Sequence, residues 1–89
     1  MISESRDRWF FAGRHFAATL ASDVATRDGL GLELEDVGPA PGRGLVLEAF
    51  QDDTTGLFTF RAFTADPLPF ALVEQFVAEA RRTLTNDGE

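Results

Sequence analysis

The chain has 89 residues, with fifteen acidic side chains against eight arginines, no lysine and no cysteine, for a net charge of −7. That length suits a single domain spanning residues 1–89, with 1–4 and 85–89 expected to fray. The missing cysteines exclude disulfides and cysteine-ligated metal, and the acidic balance argues against nucleic acid or an anionic membrane as partner.

A chain this short buries about 60–65% of the surface its unfolded form exposes. Nine Phe and one Trp therefore have to supply much of the core. No run approaches the ~20 apolar residues of a membrane span. The opening MISESRDRWFF lacks the apolar run and small-residue cleavage site of a signal peptide. The expected compartment is the cytoplasm.

Ser3 to Arg27 carries a helical period. Trp9, Gly13, Phe16, Leu20 and Val24 form one stripe, with Phe10, Ala17 and Ala21 on its shoulder. Ser3 or Ser5 would cap the helix, and Gly29 would end it in the left-handed conformation. Phe11, Ala18 and Ala25 recur every seven residues on the opposite side. Small residues at that spacing admit a second helix with Phe11 as anchor, which makes this stripe the first candidate interface.

Leu30 to Val37 then alternates as a strand, with Leu30, Leu32 and Leu34 inward and Glu33 and Glu35 outward. Gly38 to Gly44 is a loop by its glycines and prolines. Gly44 to Thr64 is a hairpin around Asp52-Asp53-Thr54-Thr55-Gly56. Sorting it by parity puts Leu45, Leu47, Ala49, Phe58, Phe60 and Ala62 on the core face. The other face holds Glu48 and Arg61, whose desolvation would be expensive. The register that keeps these sets together opposes Ala49 to Phe58 and Leu47 to Phe60. It leaves Val46, Phe50, Leu57 and Phe63 as an apolar outer patch, the second candidate interface.

Asp66-Pro67 is a helix start. Pro69, Leu72, Val73, Phe76, Val77, Ala80 and Leu84 make its apolar stripe, and Arg81 and Arg82 sit near the negative end of its dipole. The predicted fold class is α+β: a two-layer sandwich in the order helix, three-stranded antiparallel meander, helix (αβββα), with both helices on one face of the sheet.

The chain offers little to catalysis. His15 is the sole histidine. On a helix Ser22 would lie about two turns away from it, too far for a direct hydrogen bond. Glu33, Glu35 and Glu48 share a sheet face and could in principle hold a hard cation or exchange protons. A solvated face with Arg61 as counter-charge needs no such assumption. Asp52 to Gly56 lacks the alternating ligands of an EF-hand loop, and Asx-turn chemistry accounts for it. Gly42-Arg43-Gly44 is followed by a strand and by no Gly-Lys-Ser/Thr, so it is not a phosphate loop. No cofactor or metal is expected.

The order helix, three strands, helix, the acidic balance, and a leucine-rich strand followed by an acidic hairpin resemble the first part of the type III secretion chaperones. Those are small acidic dimers that bind unfolded effector segments. The resemblance covers Phe16 to Leu72 and is one of pattern, without a residue motif, and the chain stops before the later strands that complete that family's fold. Small acidic immunity proteins share the size and charge alone.

The expected function is that of a non-enzymatic protein-interaction module, self-associating as a homodimer. Its apolar contacts would come from Phe11, Ala18 and Ala25 or from Val46, Phe50, Leu57 and Phe63. Glu33, Glu35, Glu48 and Arg61 would form the polar rim. The alternative is an acidic inhibitor, immunity-type or chaperone-like protein that holds a basic or unfolded partner. A small-ligand or metal-binding domain comes third.

Overall fold

The computed structural model describes residues 5–22, 29–39 and 44–85. They form five antiparallel strands and a helix: β1 (Ser5–Phe11), β2 (Arg14–Ser22), β3 (Gly29–Gly38), β4 (Gly44–Asp52), β5 (Phe58–Ala62) and α1 (Phe70–Thr85). The strands lie in chain order, so the sheet is a meander with β1 and β5 at its edges. This corrects the αβββα expectation. The segment read as a first helix is a β-hairpin where it is described, and α1 is the one helix among the described residues.

The physical reason lies in a coincidence of spacing. Trp9 and Phe16 are seven apart, which on a helix means two turns on one face. Here they are direct cross-strand neighbours, because a two-residue turn separates Phe11 from its partner Arg14. That turn is Ala12-Gly13, with φ of 51° and 76°. Positive φ at both central residues gives the chain the twist a tight hairpin needs, and glycine adopts it without steric penalty. Beyond the turn, Phe16, Ala18 and Leu20 alternate with His15, Ala17 and Thr19, and three aromatics in a row at Trp9-Phe10-Phe11 favour the extended chain.

One sheet face carries α1. The helix seals Leu72, Phe76, Ala80 and Leu84 against Phe16, Ala18, Leu32, Leu34, Leu47 and Ala49, with Trp9, Phe11, Leu20, Leu30 and Leu68 packed around them. Its contacts fall on the central strands β3 and β4. The helix starts later than the sequence suggested. The Pro69 carbonyl accepts from the Val73 N–H at 3.2 Å, so Pro69 occupies the cap position and Asp66 lies outside the helix.

Residue parity along β4 is broken once. A register shift between Leu34 and Glu35 leaves Val46 without a partner on β3, and Val46 and Leu47 are both 1% exposed. A bulge of this kind turns two successive side chains to the same side. Val46 therefore joins the core, and Leu45, assigned to it by alternation, is 37% exposed.

The β4–β5 register also differs from the expected one. Ala49 lies opposite Phe60, Leu47 opposite Ala62, and Glu48 opposite Arg61. The slip is two residues, so every side chain keeps its face. The turn explains the slip. The Asp52 carboxylate accepts the N–H groups of Thr54 at 2.7 Å and Thr55 at 3.0 Å. Gly56, at a φ of 76°, returns its N–H to the Asp52 carbonyl at 2.8 Å. The loop therefore closes between Asp52 and Leu57.

Among the described residues Asp36 is the deepest charge, 1% exposed on the helix side. Arg14 Nε donates to its Oδ2 at 2.8 Å and the Gly38 N–H to its Oδ1 at 3.1 Å. Partnering of this kind is what allows a carboxylate to be buried.

Candidate functional site

The helix lies over β3 and β4 and stops short of β5. All five β5 residues are exposed. Phe58 and Phe60 point to the helix side but find only its flank, leaving an open cleft of about 260 Å³ between β5 and α1. Phe58, Phe60, Phe76, Val77, Ala80 and Arg81 line it. Phe60 is 54% exposed and touches the core through its edge-to-face contact with Phe76, ring centroids 6.3 Å apart. Phe70 and Val77 extend the apolar surface along the helix.

The other face of the same margin holds Leu57, 62% exposed, and Phe63, 44% exposed. The Arg61 guanidinium lies over the Phe63 ring, 5.8 Å from its centroid. Among the described residues β5 carries no carboxylate. Arg61 lies opposite Glu48 of β4, and Arg81 lines the cleft on a helix flank that also bears Glu74.

The backbone of β5 is equally open. Asp52 N–H bonds the Leu57 carbonyl at 2.9 Å, and Phe63 N–H bonds the Val46 carbonyl at 2.9 Å. Odd-numbered residues of this strand therefore direct their backbone groups toward β4. By the alternation of a ladder, the N–H and C=O groups of Phe58, Phe60 and Ala62 point away from the sheet. The opposite edge, β1, carries the exposed Arg8 and Phe10, the latter 61% exposed.

The interface residues expected from sequence scatter on the structure. Ala18 and Val46 lie in the core, and Phe11 is half-buried at the end of β1 against it. Ala25 lies outside the described residues. Phe50 is on the helix-free face but 6% exposed. It sits opposite Gly31, and a Cβ on Gly29 would come 2.4 Å from its ring. The two glycines make the bed that covers it. Leu57 and Phe63 remain on the surface, joined by Phe58 and Phe60, which sequence parity had assigned to the core.

Glu33, Glu48 and Arg61 stand in one row across β3, β4 and β5, with Arg61 directly opposite Glu48. Glu48 is 7% exposed, whereas Glu35, two residues along β3, faces solvent. Among the described residues no group of three His, Cys, Asp or Glu side chains is placed to hold a metal ion. His15 packs against Phe10 with ring centroids 4.7 Å apart and the rings tilted by 51°. Ser22 is seven residues further along the same strand, roughly 23 Å at strand rise, so the two do not meet.

No helix among the described residues is long and apolar enough to cross a membrane. The resemblance to secretion chaperones rested on a helix–strand order that the fold does not have. Compared with protein-family models, curated proteins and solved structures, the chain finds no match in any of the three.

Proposed function

We propose that this chain is a non-enzymatic protein-interaction module whose binding surface is the β5 margin: the open edge of β5, its exposed phenylalanines and the adjoining flank of α1. The observation that carries the reading is the coincidence of unpaired strand edge and apolar surface at one place. Over the two faces of the margin Leu57, Phe58, Phe60, Phe63 and Val77 leave roughly 470 Å² of side chain in solvent, taking ~200 Å² for a large apolar group. A patch of that size is at the scale of functional contact surfaces. Main-chain groups on an open edge supply affinity to an added strand, and the side chains beside it supply specificity.

The inhibitor alternative would use the acids of the outer face, Glu35 among them, and would associate much more slowly at high salt. A contact through the β5 margin is apolar and changes little. The test compares the wild type with Phe60→Glu and with Glu35→Gln on the opposite face. Light scattering after gel filtration reads self-association, and capture on the immobilised chain reads binding of other proteins. Loss of both in Phe60→Glu, with retention in Glu35→Gln, is the expected result. Association that survives Phe60→Glu, or none of either kind in the wild type, overturns the reading.

A further inference from the structure

Resting on that assignment of the margin, we infer that its occupant is a second copy of this chain, paired through antiparallel β5–β5′ contact centred on Phe60. Two five-stranded sheets would then run on as one of ten strands.

The strand is complementary to itself in this register. Phe58, Phe60 and Ala62 are the residues whose backbone groups face outward, and placing Phe60 against its own copy opposes Phe58 to Ala62 of the second chain. Each is a hydrogen-bonded pair, so all six outward groups of each strand are satisfied. On the helix side a large ring meets a methyl, and two Phe60 rings meet at the two-fold axis. On the other face the same register sets Leu57, 62% exposed, against Phe63, 44% exposed. Arg61 falls opposite Thr59.

Neighbouring registers fail. Centring on Arg61 puts two guanidinium groups face to face, which is unfavourable for directly opposed residues. Centring on Thr59 sets Leu57 against Arg61 and Phe63 against Thr55. The Phe60 register is the one of the three that gives every exposed apolar residue of the edge an apolar partner. An isologous contact requires this self-matching.

Charge does not oppose a second copy in this register. The strand itself carries no carboxylate, and Arg61 falls opposite Thr59, so no like charges are directly opposed across the two strands. With backbone edge and arginine stems added to the apolar groups, the interface totals roughly 1,000 Å². That is the lower end for a specific contact, and it describes a dimer that dissociates on dilution.

Two measurements test the proposal. In the first, amide exchange in the wild type is followed residue by residue across a dilution series. The amides of Phe58, Phe60 and Ala62 should slow by about tenfold or more on concentration, while those of Thr59 and Arg61, bonded to β4, stay protected throughout.

The second uses the cysteine-free background. Leu57→Cys and Phe63→Cys chains oxidised together should join to each other and not to themselves. The mixed pair brings Cα atoms to about 4.5 Å in a non-hydrogen-bonded pair, whereas two Leu57→Cys sites lie roughly 20 Å apart. Equal yields of mixed and self-joined products would overturn the register.

A dimer by mass whose even-numbered β5 amides exchange freely would place self-association on another face. A monomer at every concentration would exclude the second copy. In either of those cases loss of protein capture by Phe60→Glu would still uphold the margin as an interaction surface, so the two readings fail separately.

Discussion

Phe76 and Phe60 lie edge to face across one contact, yet they belong to different regimes. Phe76 is fully buried in the closed half of the molecule, where α1 covers β3 and β4. Phe60 is half in solvent on a strand that meets only the flank of the helix. The same aromatic chemistry stabilises the fold in one place and is left facing solvent in the other. A helix of sixteen residues on a five-stranded sheet covers the middle and leaves the margins.

Substitutions can break this contrast, beginning with the largest effect. Phe76→Ala should destabilise the protein by about 3–5 kcal/mol, read by denaturant unfolding, because it empties the centre of the closed half. Arg14→Ala removes the guanidinium from buried Asp36 and should cost about 2–3 kcal/mol by the same measurement, less than a fully buried pair because Arg14 is partly exposed. Gly29→Ala should cost about 1–3 kcal/mol, since its Cβ would lie 2.2 Å from the Gln51 carbonyl and 2.4 Å from the Phe50 ring. Phe60→Ala should cost about 1 kcal/mol or less in dilute solution, the scale of one aromatic pair, while weakening association. If Phe60→Ala matched Phe76→Ala, β5 would belong to the core and the contrast would collapse.

Much of the closed half was legible. Leu30, Leu32 and Leu34 announce a strand by alternation, Asp52 to Gly56 announce a turn, and Leu72, Phe76, Ala80 and Leu84 announce a helix face. The first hairpin was not legible because its inward residues also satisfy a helical period. The signal against a helix was Ala12-Gly13 set between two alternating runs, a tight-turn dipeptide that a helix reading absorbs as ordinary small residues.

The candidate site failed differently. Parity alone placed Phe58, Phe60 and Ala62 on the helix side, and so it does in the structure. Which part of that side the helix covers depends on where α1 crosses the sheet, and no alternation pattern encodes it. Val46 was misplaced by the bulge at Leu34 and Glu35, which likewise has no mark in the alternation.

The central claim is that β5 pairs with β5 of a second copy, and the denaturant midpoint of unfolding, measured over a wide range of protein concentration for the wild type and for Phe60→Glu, tests it most directly. A dimer stabilises the folded state by mass action, so the wild-type midpoint should rise with concentration while that of Phe60→Glu stays flat. A wild-type midpoint independent of concentration, or a Phe60→Glu midpoint that rises in parallel with it, would contradict the claim.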